Sequence, residues 1–294
     1  MWAGCEGKLD SETAMSGLSL QVNNPAQHNF TSNIMNTQST LSPANLLNKV
    51  PQVALSFWVV KVLSTTVGET GADFLAVNAG IGQGFTRALM GTLLVIALFI
   101  QLRTRRYTPW IYWLTVVLVS VVGTQITDLF TDGLGVSLYV STSAFALMLA
   151  GIFALWYWVE RSLSIHEIFT RRRELFYWAA ILCTFALGTA AGDLATEALG
   201  LGFTYGAMAF GALIAITYAA YRFGGNAVLT FWIGYILTRP FGAALGDLLT
   251  QAKTYGGVGM GAMWTSALFL SVIVLLVAVA QIGSTKANVE TTYS

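Results

Sequence analysis

Long apolar stretches alternate with short polar links between about Val53 and Gln281. Each of the eight stretches is roughly 20 residues long, enough for a helix to cross a hydrocarbon core about 30 Å thick. The predicted spans are 53–76, 82–102, 108–131, 137–159, 174–197, 203–222, 227–250 and 258–281. The runs are continuous, whereas barrel strands would alternate apolar and polar residues. The pattern therefore predicts an all-α, polytopic membrane protein with eight transmembrane helices.

Composition agrees with a chain whose main solvent is lipid. The 294 residues are 55% hydrophobic and 10% charged, whereas soluble domains carry about 25% charged residues. The net charge is +1, and the basic residues lie at span ends without interleaved aromatics. We therefore expect the lipid bilayer, and no nucleic acid, as a partner.

Basic residues in the links predict the orientation. The links after even-numbered spans contain Arg103, Arg105, Arg106, Arg161, Arg171, Arg172, Arg173 and Arg222. The links after odd-numbered spans contain a single cation, Lys253. The positive-inside rule then places both termini in the cytoplasm.

The polar ends of the chain are predicted to lie outside the membrane domain. Residues 1–50 are rich in Ser, Asn, Thr and Gln and lack a signal-peptide pattern, so we expect a disordered cytoplasmic tail. Residues 51–283 form the membrane domain, and 284–294 a second tail. The two cysteines, Cys5 and Cys183, do not indicate a disulfide framework.

Internal periodicity is the most specific signal in the chain. Four segments align without gaps: FWVVKVLSTTVGETGADFL, YWLTVVLVSVVGTQITDLF, YWAAILCTFALGTAAGDLA and FWIGYILTRPFGAALGDLL. Each contains a tryptophan (Trp58, Trp113, Trp178, Trp232), a glycine ten residues later (Gly68, Gly123, Gly188, Gly242) and an aspartate five residues further (Asp73, Asp128, Asp193, Asp247). The pattern predicts four tandem two-helix repeats, at about 53–105, 108–165, 174–224 and 227–281.

All four hairpins share one orientation, which predicts parallel repeats around an axis along the membrane normal. Fifteen residues of helix place each aspartate about 22 Å from its tryptophan. We expect the tryptophans at the cytoplasmic interface and the aspartates at one depth near the outer surface. The repeat glycines are predicted to be helix-packing notches.

Further acids lie one helical turn from three of the aspartates. They are Glu69, Asp132 and Glu197, whereas Gln251 takes that place beside Asp247. Clustered carboxylates repel one another unless they hold protons or bind a cation. The acids therefore need an explanation, because charges inside a membrane are costly.

Three interpretations of the acids stay open. The aspartates either brace helix ends, with Arg87, Arg239 and Lys61 as ion-pair partners, or form a cation or proton site whose oxygen ligands suit Mn, Mg or Ca. Intramembrane aspartyl proteolysis would need a GxGD loop, whereas the chain has TGAD, QITD, AAGD and ALGD. Lys61 lies near the inner interface, where it can snorkel.

Common enzyme chemistry lacks a motif. His166 lies in a basic link, His28 lies in the tail, and no GxxxxGK[ST] loop is present. Without paired His or Cys, zinc is also disfavoured. We expect no catalytic residue, no enzyme activity and no cofactor.

The four W-x9-G-x4-D segments resemble a bacterial membrane-protein family with four copies of a two-span repeat of unknown function. The resemblance covers about residues 55–280 and implies architecture more than chemistry. The segment Glu69-Thr70-Gly71-Ala72-Asp73 is also loosely similar to the E-x-G-D motif of a manganese and calcium exporter family.

These patterns lead to the hypothesis of a secondary transporter, an exporter of a hard divalent cation with manganese favoured. Its candidate cation or proton ligands are Asp73, Asp128, Asp193, Asp247, Glu69, Glu197 and Asp132, the four aspartates being the candidate metal ligands and Arg87 and Arg239 the charge partners. The alternatives are a non-transporting membrane scaffold or subunit with structural aspartates, and a transporter of a small organic solute. An oligomer is compatible with the sequence.

Overall fold

The computed structural model describes residues 48–73 and 82–293, apart from the side chains of Ala72, Asp73, Tyr255 and residues 284–293. The helices are α1 Leu55–Asp73, α2 Gln83–Arg103, α3 Pro109–Asp128, α4 Leu138–Glu160, α5 Arg171–Asp193, α6 Gly202–Arg222, α7 Ala227–Thr250 and α8 Ala262–Tyr293. Short π-helical turns follow α3 and α5 at Leu129–Gly133 and Leu194–Ala198. Short 3-10 turns precede α5 and α8 at Ile165–Glu167 and Lys253–Tyr255. Within the described ranges, each predicted span corresponds to one helix.

Helix starts follow local sequence signals. The Ser137 side chain accepts a hydrogen bond from the backbone N–H of Val140 at the start of α4, and Asn226 accepts two from the first turn of α7. These side chains satisfy backbone donors that the first helical turn leaves free. Pro109 occupies the first turn of α3, where its missing N–H costs nothing.

Seven of the described helices, α2 to α8, are long and apolar enough to cross a membrane. The remaining helix, α1, contains Lys61, Glu69 and Asp73 within 19 residues. The all-helical, membrane-like architecture predicted from hydropathy is therefore observed, and α1 is the least apolar of its predicted spans.

The odd-numbered helices α1, α3, α5 and α7 form a closed inner bundle, packing in the order α1–α3–α5–α7–α1. An aromatic ring at their N-terminal ends shows the closure. In each case the aromatic residue before one repeat tryptophan contacts the tryptophan of the next repeat. The ring centroids are 5.6 Å apart for Phe57–Trp113, 5.5 Å for Tyr112–Trp178, 6.3 Å for Tyr177–Trp232 and 5.7 Å for Phe231–Trp58. The inner helices are thus parallel, and we call this end of the bundle the aromatic end.

Three of the four repeat tryptophans pack inside the protein, which corrects the expectation that their rings lie in the lipid interface. Trp113, Trp178 and Trp232 are each 4% exposed. The indole N–H of Trp232 donates to the carbonyl of Leu163 at 3.0 Å, inside the protein. The rings pack against one another because an aromatic cluster buries more apolar area than four separate rings at a surface.

The repeat glycines provide the close approach between neighbouring inner helices. A Cβ at Gly68 would lie 1.8 Å from Ser120 Oγ, and one at Gly242 would lie 1.9 Å from Thr65 Oγ1. Gly123 meets Phe185 and Gly188 meets Arg239 in the same way. The prediction that these glycines are packing notches is confirmed, and each notch receives the residue seven positions after the next repeat's tryptophan.

The even-numbered helices lie outside the inner bundle. Each packs mainly against the odd helix of the following repeat: α2 on α3, α4 on α5, α6 on α7 and α8 on α1. In their apolar stretches 6–22% of residues are buried, against 56–67% in α3, α5 and α7. The outer helices therefore present apolar surface outward and connect neighbouring repeats.

The segment before α1 corrects the predicted boundary of the N-terminal tail. Asn48, Lys49 and Val50 are buried, and the Asn48 amide donates to the carbonyl of Ile165 at 3.2 Å. These residues belong to the helical domain because they close the aromatic end. The rest of the predicted tail, residues 1–47, and the side chains of 284–294 lie outside the described residues.

Candidate functional site

The polar residues inside the inner bundle fall at matching positions of the four repeats. Four residues stand seven positions after the repeat tryptophan: Thr65, Ser120, Phe185 and Arg239. Eleven positions after it stand Glu69, Thr124, Thr189 and Ala243. The parallel packing brings the residues of each set to one level of the bundle. Most of them are threonine, serine or alanine, so the unusual residues are Glu69, Phe185 and Arg239.

Arg239 is the central residue of this interior. Its side chain is 0% exposed, and Nη2 lies 2.6 Å from Glu69 Oε2. Nη2 also donates to the hydroxyls of Thr189 at 2.8 Å and of Thr124, and Nη1 donates to the carbonyl of Thr65 at 3.1 Å. One arginine from α7 therefore binds groups on all three other inner helices.

Several acids meet at the end of the bundle opposite the aromatic end, which we call the acidic end. Asp193 is partly buried and lies within electrostatic range of Glu69, Glu197 and Asp128. Glu197 is exposed and lies within range of Asp132 and Glu69. Each of these five predicted acids, from α1, α3, α5 and the two π-helical turns, thus lies within electrostatic range of at least one other.

The other two predicted acids contribute less to this picture. Asp247 is partly buried near the end of α7. Asp73 is the last residue of α1, and its side chain lies outside the described residues. Within the described part of the chain, no group of three or more His, Cys, Asp or Glu side chains is placed to hold a metal ion.

Arg87, a predicted ion-pair partner of the acids, forms a hydrogen bond on its own helix. Its guanidinium donates to Gln83 Oε1 at 2.9 Å on the outer helix α2, while Glu69 pairs with Arg239. The predicted pairing of Arg239 with an acid is observed. Pairing of Arg87 with Asp73 involves a side chain that lies outside the described residues.

Lys61 corrects the expectation that it snorkels to an interface. Its side chain is 1% exposed and points into the bundle. Nζ lies 3.7 Å from the ring centroid of Phe185 and 4.2 Å from that of Tyr235. Burying an ion costs several kcal/mol even after relaxation, and a desolvated cation–π contact offsets about 2 kcal/mol. The two rings alone leave part of that cost uncompensated.

A second buried ion pair ties the segment before α1 to the aromatic end. Lys49 Nζ lies 2.6 Å from Glu174 Oε2, with side chains 6% and 1% exposed. Gln101 donates to the other oxygen of Glu174 at 3.2 Å. This contact joins the N-terminal segment, α2 and α5, and sequence reasoning missed it because Glu174 stands next to three arginines that suggest a solvated link.

Comparison with known families now identifies the repeat. A family profile described as Repeat of Unknown Function (DUF347) matches four times, at residues 56–107, 111–162, 176–225 and 230–283. The chain belongs to this family. The predicted resemblance to four tandem two-helix repeats of unknown function is thereby confirmed. No curated protein and no solved structure matches the chain significantly.

The DUF347 register also explains which interior residues were overlooked. Thr124 and Thr189 occupy the same repeat position as Glu69, and Lys61 occupies the position of Val116, Ile181 and Tyr235. A column-by-column alignment of the repeats shows that Glu69 and Lys61 are charged where the other three repeats have uncharged residues. The aspartate column is occupied in all four repeats and is therefore evident from the sequence, whereas the columns that contact Arg239 vary.

Proposed function

We propose that this DUF347 protein is a secondary membrane transporter in which the acidic end exchanges a cation or proton and the Glu69–Arg239 pair controls passage through the inner bundle. The observation that carries the proposal is the fully buried Arg239, which joins all four inner helices and pairs with Glu69 at 2.6 Å. A change in the charge of Glu69 or its neighbours would weaken a contact on which the packing of every inner helix depends.

The acidic end supports a cationic or protonic cargo. Glu69, Asp128 and Arg239 each lie within electrostatic range of Asp193. Carboxylates that repel one another in a low-dielectric site favour uptake of a proton or a cation. The donors are hard oxygens, so a divalent cation such as manganese is the first cargo to test.

Membrane insertion and orientation are part of the same proposal. The outer helices present apolar residues, and the arginine-rich links lie at the end of the chain's even helices. Under the positive-inside rule the aromatic end faces the cytoplasm and the acidic end faces outward. Export would then deliver the ion through the acidic end, across the bacterial inner membrane.

Transport by purified protein in liposomes tests the proposal. Mn²⁺, Mg²⁺, Ca²⁺ and proton flux would be followed with trapped fluorescent indicators, with and without a pH gradient. We expect wild-type protein to move at least one of these ions, and Glu69→Gln and Asp193→Asn to slow it about tenfold or more, as for the loss of one charged contact. Glu167→Gln, an acid in the link before α5, is the matched control and should leave flux unchanged.

A structural role is the second candidate, because Arg239 also bonds the Thr65 carbonyl and two threonine hydroxyls. In a scaffold, these contacts would only brace the bundle. Substitution of Glu69 or Asp193 would then lower thermal stability and yield together, and wild-type liposomes would show no flux of any tested ion. That combination would refute the transport proposal.

A further inference from the structure

Three polar side chains of the interior near Lys61 contain a buried atom without a hydrogen-bond partner. Lys61 Nζ, Tyr235 Oη and Arg239 Nε are buried and have no hydrogen-bond partner among the described residues. All three side chains are at most 1% exposed. Buried polar groups in proteins are almost always paired with protein, ordered water or an ion, so this cluster requires an explanation.

The three groups share one aromatic wall. Lys61 Nζ lies over the Phe185 ring at 3.7 Å and over the Tyr235 ring at 4.2 Å. The guanidinium carbon of Arg239 lies 5.8 Å from the same Phe185 ring. Lys61 belongs to α1 and the other two polar residues to α7, helices that are adjacent in the inner bundle. Lys61 Nζ and the Arg239 guanidinium thus lie around one Phe185 ring, and the Tyr235 ring packs against the same ammonium group; we call these four residues the buried layer.

A protonated Lys61 has no counter-charge among the described residues of this layer. Arg239 is paired with Glu69, and Lys61 and Arg239 lie within electrostatic range of each other. Among the described residues, no carboxylate forms an ion pair with Lys61. Lysine ammonium and arginine Nε–H only donate hydrogen bonds. A group that completes the layer must therefore accept several hydrogen bonds, and a negative charge on that group would stabilise the protonated form of Lys61.

We propose that Lys61, Tyr235 and Arg239 form a binding site for a small monovalent anion, such as chloride, inside the inner bundle. A water molecule would accept two of the hydrogen bonds but would not stabilise the protonated form of Lys61. An anion satisfies both requirements, and the hydroxyl of Tyr235 can donate to it. The site lies on the aromatic side of the Glu69–Arg239 pair and does not depend on the acidic end or on the transport proposal.

Anion-dependent thermal stability tests this site. The melting temperature of purified protein in detergent would be measured while chloride, bromide or nitrate replaces gluconate, which is too large for a buried layer, at constant ionic strength. We expect a saturable rise for wild type. Lys61→Met should abolish it, and Tyr235→Phe, which keeps the ring, should weaken the apparent affinity about fivefold, as for one lost hydrogen bond.

The controls keep the test decisive. Lys253→Met removes an exposed lysine and should respond like wild type. Lys61→Met should fold, because it removes a buried charge and keeps an unbranched side chain. If Lys61→Met does not fold, bromide binding to wild type would be located by its anomalous X-ray signal, and a peak beside Lys61 Nζ is expected. Equal anion responses in wild type and Lys61→Met, no response in wild type, or bromide bound elsewhere would overturn the proposal.

Discussion

The buried Glu69–Arg239 pair makes a quantitative prediction about stability. Glu69→Gln preserves the shape of the side chain but leaves a fully buried guanidinium without its counter-charge. Breaking a buried pair by removing one partner costs about 3–5 kcal/mol. Because the Glu69 side chain is 12% exposed, water can replace part of the interaction, and we expect the lower end, about 3 kcal/mol.

Removing both charges should restore most of the stability that Glu69→Gln loses. Arg239→Met keeps the Cβ and Cγ atoms that fill the Gly188 notch. Thr124 and Thr189 would not be left unpaired, since their hydroxyls also donate to the carbonyls of Ser120 and Phe185 at 3.2 and 3.1 Å. Neutral replacement of a buried pair is often close to neutral. We therefore expect Glu69→Gln/Arg239→Met to lie within about 1 kcal/mol of wild type.

A double-mutant cycle measures the coupling directly. Wild type, both single variants and the double variant would be unfolded by heat and by denaturant in one detergent, with exposed Arg105→Met as the control. A loss of about 3 kcal/mol corresponds to a fall in melting temperature of roughly 6–12 °C for a chain of this size. Coupling below about 0.5 kcal/mol, with additive single effects, would refute the assignment of a buried pair.

Two further predictions concern packing and pH. Gly242→Ala places a methyl group 1.9 Å from Thr65 Oγ1, so it should lower the free energy of unfolding by about 1–3 kcal/mol. The control Gly91→Ala, with open space around the glycine, should be neutral or stabilising. Equal effects of the two substitutions in thermal unfolding would contradict the notch. The Arg173 hydrogen bond lowers the pKa of Glu167 from its ordinary 4.5, so its stabilisation is present above that value and disappears as pH falls through the lowered pKa. Because the Glu167 side chain is 46% exposed, solvent screening limits the effect to about 0.5 kcal/mol, and the difference between wild type and Glu167→Gln in pH-dependent melting should vanish in acid.

The fold could be predicted because every span has a hydropathy signal and belongs to one copy of the repeat. Eight apolar stretches require eight helices, and the recurring glycines require close contacts, so α1 to α8 and the notches follow from the sequence. The π-helical turns at Leu129–Gly133 and Leu194–Ala198 could not be predicted, since their residues also suit a regular helix. The partner of each outer helix depends on long-range packing, which a hairpin pattern does not specify.

The candidate site was only partly predictable for a related reason. Glu69, Asp128 and Asp193 could be assigned to one end because they share a repeat position or lie one turn from it. The partner of Glu69 could not, because Arg239 belongs to the last repeat and meets the first only after the ring closes. The same ring closure buries Lys61. Its position near a span end suggests an interface, but α7 packs beside it.

Ring closure also gives a physical reason for the uneven chemistry of four similar repeats. A fully symmetric bundle would place four identical charges around one axis, where like charges repel strongly at low dielectric. Here the charged exceptions Lys61, Glu69 and Arg239 come only from the first and last repeats, which meet as α1 and α7. The second and third repeats supply Thr124 and Thr189, which bind the shared guanidinium without adding charge. Sequence divergence between repeats thus places the interior charges of Lys61, Glu69 and Arg239 at one junction of the bundle, while every repeat keeps its aspartate and the tryptophan and glycine positions keep the ring closed.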